Sequence, residues 1–195
     1  MRVLGISGSL RRDSHNTRLL RAAALALPPG VELELFDGLA ELPAYDEDID
    51  VEPAPEAVAH LRERIAAADA LLIATPEYNA SIPGALKNAI DWASRPFPGN
   101  VLRGKPVVVI GASTGLFGAV WAQAEVRKVL RHAGAEVLDH ELPVGLADGA
   151  FTETGTLADQ DLHERLTALV ETLCNVHRID ERVERRDREP ALRAS

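Results

Sequence analysis

Apolar positions along the chain recur in two alternating rhythms. Residues 2–6 form a short apolar run, and 17–27 then place Leu19, Leu20, Ala23, Ala24 and Leu27 at helical spacing. Pro28-Pro29-Gly30 closes that helix. In 31–36, Val31, Leu33 and Leu35 alternate with Glu32 and Glu34, the mark of a strand with one wetter face near a sheet edge. Residues 55–68 put Val58, Leu61 and Ile65 on one helical face, ahead of a wholly apolar strand at 70–74. A third helix, 82–92, precedes 106–110, a continuous apolar run suited to a central strand covered on both sides. A fourth helix at 119–132 leads to a short strand at 135–138. The last helix, 157–174, carries Leu162, Leu166, Leu169, Val170 and Leu173 on its inner stripe.

Strands that alternate with helices in this way pair in parallel through right-handed crossovers, which gives a three-layer α/β sandwich. Two connections stand out. Residues 37–54 are long, acidic and proline-bearing with no sustained period, the profile of a lid, an interface segment or a mobile loop. Residues 141–155 are irregular. Nothing repeats at a fixed period and no linker divides the chain, so 1–178 is expected to be one domain. Residues 179–195, almost all charged or small, are expected to be a flexible tail whose mixed charges are solvated.

Composition narrows the classes. The net charge of −9 argues against nucleic acid or an anionic membrane as the partner. One cysteine, Cys174, excludes an intramolecular disulfide framework and a multi-cysteine metal site, and suits a reducing cytosol. No apolar run approaches the roughly 20 residues that span a bilayer, and Met1 leads straight into a strand without a signal-peptide pattern. A cytoplasmic protein is expected. The six histidines show no metal-ligand spacing and are expected at the surface or as caps; Cys174 is expected to be inert core.

Chemistry is concentrated where three strands end. Gly5-Ile6-Ser7-Gly8-Ser9-Leu10-Arg11-Arg12-Asp13-Ser14-His15-Asn16 runs from a strand through small residues, hydroxyls and two arginines into a helix. Unpaired N–H groups and partial positive charge at a helix N-terminus favour a phosphate, and an arginine adds a charge-assisted pair. The competing expectation is an ordinary turn in which Ser14 or Asn16 caps the helix. A second loop, Pro76-Glu77-Tyr78-Asn79-Ala80-Ser81-Ile82-Pro83-Gly84, offers apolar faces with amide donors and acceptors. A third, Gly111-Ala112-Ser113-Thr114-Gly115-Leu116-Phe117-Gly118, is nearly all backbone and can lie flat against a planar ring. All three follow strands and precede helices, so they share the rim where open parallel sheets bind ligands. Together they describe a mononucleotide with a large heterocycle, flavin mononucleotide (FMN) best. The first turn lacks Gly-x-Gly-x-x-Gly with a convincing ribose-binding acid, and no Gly-Lys-Ser/Thr ends it.

These stretches resemble the NADPH-dependent FMN reductases, including the bacterial chromate and quinone reductases. The carrying residues are Gly8-Ser9-Leu10-Arg11 with Ser14 and Asn16, then Pro76-Glu77-Tyr78-Asn79 running on through Ile82-Pro83-Gly84-Ala85-Leu86-Lys87-Asn88-Ala89-Ile90-Asp91-Trp92, then 113–118. The third loop has Ser113-Thr114-Gly115 where relatives often show Ser-Pro-Gly. The similarity extends to about Cys174. It implies a flavodoxin-like fold with a five-stranded parallel sheet in the order 2-1-3-4-5. It also implies that Ser9, Arg11, Ser14 and Asn16, with His15 beside them, hold the FMN phosphate. Pro76, Glu77, Tyr78 and Asn79 would line the ribityl chain and isoalloxazine, and Ser113, Thr114 and Gly115 would approach the ring from the other loop. The resemblance further implies a homodimer or homotetramer with the flavin near a subunit interface, to which 37–54 and Trp121 would contribute.

The expected activity is electron transfer from NADPH or NADH through bound FMN to a small acceptor: a quinone, a free flavin, an azo compound or a metal oxyanion such as chromate. No catalytic side chain and no metal are expected, because the flavin N5 carries the hydride. Glu77 is weak as an acid–base group, and its ordinary role would be to cap the next helix. The alternative is a flavodoxin-like electron carrier that does not itself oxidise NAD(P)H. The acidic charge suits a carrier, but the carrier's Thr-x-Thr-Gly-x-Thr phosphate loop is absent.

Overall fold

The computed structural model describes residues 1–176 in full and, for 177–192, the backbone of a helix. The flexible tail expected at 179–195 falls outside the fully described residues. In chain order the elements are β1 (Arg2–Ser7), α1 (His15–Leu25), β2 (Glu32–Phe36), α2 (Glu56–Ala67), β3 (Ala70–Thr75), α3 (Gly84–Ala93), β4 (Pro106–Ala112), α4 (Val120–His132), β5 (Glu136–Val137), β6 (Pro143–Val144) and α5 (Gln160–Leu192). The sheet is parallel and runs β2-β1-β3-β4-β5, with β6 also on β4. This is the flavodoxin-like order, with one refinement. The fifth position is split: β5 pairs with Pro106 and Val107, and β6 pairs with Gly111 and Ala112 at the other end of β4. The region 141–155, expected to be irregular, therefore supplies a sixth strand.

The apolar pattern sorts itself across the sheet by strand alternation. Leu4, Ile6, Leu71, Ile73, Val107 and Val109 face a core closed by α2, α3 and α4. Val3, Leu72, Ala74, Val108 and Ile110 face the opposite core, closed by α1 and α5. The β3 and β4 side chains are buried throughout, as their unbroken apolar runs require, whereas β2 alternates as an edge strand does. Cys174 is buried.

The connection 37–54 is fastened rather than loose. Trp92 Nε1 and Asn88 Nδ2 both donate to the Pro43 carbonyl, at 2.9 and 2.8 Å, and the Tyr45 N–H donates to Asn88 Oδ1 at 2.7 Å. Tyr45 also meets the fully buried Trp92 ring edge-on at 4.9 Å. These bonds hold Pro43 and Tyr45 on α3. Among the described residues no helix is long and apolar enough to cross a membrane.

Candidate functional site

The first loop is shaped largely by its own side chains. Ser7 Oγ accepts from the Ser9 N–H at 3.4 Å and from Thr17 Oγ1 at 3.0 Å, and Ser9 Oγ accepts from the Arg11 N–H at 3.4 Å. Ser14 is the N-cap of α1, its Oγ accepting from the Thr17 N–H at 3.1 Å. Its hydroxyl proton remains free to donate. Gly8 comes so close to the second loop that a Cβ there would lie 3.3 Å from Pro76 Cδ. The Gly8 N–H donates to Ala74 O at 2.8 Å, which ties the loop to the end of β3.

Asn16 plays a part that the sequence does not show. Its Nδ2 donates to Ala112 O and its Oδ1 accepts from the Ala112 N–H, both at 2.9 Å and both buried. One N–H and the oxygen of the amide expected on the phosphate thus latch the first loop to the end of β4. Toward a ligand Asn16 still offers its second side-chain N–H and its backbone N–H, the latter, like that of His15, without an acceptor among the described residues.

His15, expected with the other histidines at the surface or as a cap and also beside the phosphate, is half-buried. It opens α1 with Nε2 3.2 Å from Asp148 Oδ1 and its ring parallel to Phe151, while its Nδ1 is buried without a partner. The Arg11 guanidinium is exposed and has no ion-pair partner among the described residues.

The second loop is a two-residue hairpin in which Tyr78 and Ser81 exchange backbone hydrogen bonds. Asn79 and Ala80 at its tip have φ of 54° and 57°, the left-handed pair of a type I′ turn. The Glu77 carboxylate does cap a helix, but not the next one. Its Oε2 accepts from the N–H groups of Trp121 and Ala122 at 3.0 and 3.1 Å, at the start of α4.

The third loop begins at Ser113, since Gly111 and Ala112 belong to β4. It lies on 143–147: the Ser113 N–H donates to Val144 O, the Leu146 N–H to Gly115 O and the Ala147 N–H to Ser113 O, all at 3.0–3.1 Å. A Cβ on Gly145 would sit 2.2 Å from Leu116 O, and one on Gly118 would sit 2.4 Å from the Pro143 carbonyl carbon. The fully buried Gln123 completes the brace, donating from Nε2 to Gly118 O at 2.9 Å and accepting from the Leu142 N–H at 3.2 Å.

The loops converge on one cleft lined by Ser9, Arg11, Ser14, His15, Asn16, Pro76, Glu77, Tyr78, Ala112, Ser113 and Thr114. Asn79 and Gly115, also expected at the site, flank it on exposed backbone. The enclosed volume is only about 110 Å3, against the ~300–1,000 Å3 of a typical small-molecule pocket. The apolar side chains around it stand open: Tyr78, Leu116, Phe117 and Trp121 are 52, 69, 59 and 49 % exposed. A larger groove of about 900 Å3 lies between the C-terminal halves of α3 and α4. It is at the opposite end of the sheet and holds none of the residues above.

A helix N-terminus with unpaired N–H groups and two further loops at the carboxyl ends of a 2-1-3-4-5 sheet define the flavodoxin-like class. The chain belongs to the NADPH-dependent FMN reductase family, whose model matches residues 1–149. It is 45 % identical over 174 residues to an NAD(P)H-dependent FMN reductase of Pseudomonas aeruginosa, covering 89 % of this chain and 93 % of that one. A 2-hydroxy-1,4-benzoquinone reductase of a Burkholderia species is 36 % identical, with 88 and 93 % covered. Among solved structures, FerB, a flavoenzyme NAD(P)H:(acceptor) oxidoreductase from Paracoccus denitrificans, superposes with a TM-score of 0.80 at 36 % identity, covering 91 % of this chain and 97 % of that one. The class of activity is therefore that of an FMN-dependent NAD(P)H oxidoreductase.

Proposed function

We propose that the three-loop cleft is the FMN site and that the enzyme passes electrons from NAD(P)H to a small oxidant of the quinone type. The observation that carries this reading is the set of unpaired polar groups gathered there: the His15 and Asn16 N–H groups, His15 Nδ1, the Ser14 hydroxyl proton and the Arg11 guanidinium. Burying a polar atom such as Nδ1 without a partner is costly, so its presence in a cleft points to a ligand that pairs it. Ser9, Arg11, Ser14, His15 and the backbone of Asn16 would hold the phosphate. Pro76, the backbone of Glu77, Tyr78 and Asn79 would border the ribityl chain and one side of the ring, with Ser113, Thr114 and Gly115 on the other. When bound, FMN supplies the chemistry of taking a hydride and giving up its electrons to the acceptor. The chain's own work is to anchor the phosphate, hold the ring edge against backbone N–H dipoles that need little reorganisation, and leave one face open.

The open apolar rim of Tyr78, Leu116, Phe117 and Trp121 favours a planar apolar acceptor over a hydrated oxyanion such as chromate. It also supports a homodimer or homotetramer in which a second copy walls the ring, because one chain encloses so little of the site. The lone cysteine and acidic charge support a cytoplasmic location.

The test is the visible spectrum of the protein incubated with FMN and desalted, recorded before and after NADPH or NADH is added under argon. Retained flavin absorption that bleaches with a nicotinamide and returns with a quinone is expected. A colourless protein would refute the site assignment, and bound flavin that neither nicotinamide bleaches would leave an electron carrier.

A further inference from the structure

We infer that Glu77 is a positioning residue, one that sets the ring-side geometry of the site through α4 instead of through contact with the ligand. The inference rests on the flavin reading above. Helix α4 starts badly by its own means. Its N-cap, Ala119, has φ of 61° and offers no side-chain acceptor. The Val120 N–H reaches the Phe117 carbonyl, but those of Trp121 and Ala122 would go unsatisfied. Glu77, more than forty positions earlier, fills that gap with one carboxylate oxygen shared between Trp121 and Ala122. A negative group at a helix N-terminus is also favoured by the helix dipole. One turn later Ser81 Oγ donates to Glu125 Oε2 at 2.5 Å, so both ends of the Tyr78–Ser81 hairpin are fixed to the same helix.

The same first turn of α4 holds the third loop, because Gln123 reaches back to Gly118 O. The second and third loops are thus referenced to one rigid element, and their spacing is the width of the slot between them. The geometry explains a difficulty in assigning Glu77 to the flavin. Its carboxylate would repel a phosphate or an anionic reduced ring, but capping α4 through Oε2 offsets part of that charge with two N–H dipoles.

Glu77→Gln keeps the reach of the side chain and an acceptor oxygen while losing the charge. Glu77→Asp keeps the charge but is one methylene too short to span the gap. If Glu77 acts by position, Glu77→Asp should weaken FMN binding about tenfold, in the range of a lost cap, and shift the bound flavin's visible bands. Glu77→Gln should remain within about threefold of the wild-type protein. Ser81→Ala, which opens only the second clasp, should shift affinity in the same direction by less. If Glu77 instead acts by its charge near the ring, the order reverses, with Glu77→Asp close to wild type and Glu77→Gln changed in flavin reduction potential. Identical affinity and spectrum for all three variants, each folded by circular dichroism, would overturn the inference. Failure of the wild-type protein to bind FMN would instead defeat the flavin reading.

Discussion

The first loop and the two ring-side loops do similar work by different means. From Ser7 to Thr17 the first loop is tied by hydroxyls to N–H and O–H groups no more than ten positions away, and Ser14 caps the helix that follows. The second and third loops take their shape from distant residues: Glu77 on α4, Gln123 on Gly118 and Leu142, and 143–147 beneath Ser113 and Gly115. A phosphate needs only a few donors in a turn, which local residues can arrange. A planar ring needs two surfaces at a fixed separation, and only tertiary contacts set that distance.

The largest effect should come from the paired bonds by which Asn16 latches the first loop to β4. Asn16→Ala removes two hydrogen bonds and leaves the Ala112 N–H and C=O buried and unpaired. The expected loss is about 2–4 kcal/mol of folding stability, measured by urea unfolding of the flavin-free protein. A loss under ~0.5 kcal/mol would mean that the latch is replaced by water and that the first loop stands alone. Next is Gly145→Ala, whose Cβ would meet Leu116 O. Stability should fall by about 1–3 kcal/mol. FMN affinity should fall with it while the free phosphate-binding turn is untouched. An unchanged flavin affinity would show that the third loop is indifferent to its brace. The smallest effect concerns the hairpin tip. Ala80→Gly removes the Cβ from a left-handed position at 57°, and should stabilise by roughly 0.5–1 kcal/mol, without altering the flavin spectrum.

The same contrast explains what the sequence discloses. Strand and helix periodicity, the 2-1-3-4-5 order implied by the resemblance, and Ser14 as a cap are legible because each depends on neighbours within a few positions or on an unbroken apolar run such as 106–110. The double bond of Asn16 to Ala112, the cap that Glu77 provides to α4, and β6 are not legible, because each joins segments separated by dozens of residues. An asparagine in a polar turn reads as a ligand donor, and only the end of β4 beside it shows the latch it also makes. Gln123 and Gly145 carry weak signals: a polar residue on the inner face of an apolar helix, and a glycine in an irregular stretch. For 37–54 the composition leaves a lid, an interface segment and a mobile loop open, and only the bonds of Asn88 and Trp92 to Pro43 and Tyr45 show how the segment is fastened.

Comparing FMN with riboflavin tests most directly whether the first loop holds a phosphate. Riboflavin carries the same ring and ribityl chain without the phosphate. Titrated by flavin fluorescence into the flavin-free protein, FMN should bind at least about a hundredfold more tightly, the scale of two charge-assisted hydrogen bonds. Arg11→Ala should narrow the gap by weakening FMN alone. Equal affinities for the two flavins, or an Arg11→Ala protein that weakens both alike, would contradict the placement of the phosphate at the N-terminus of α1.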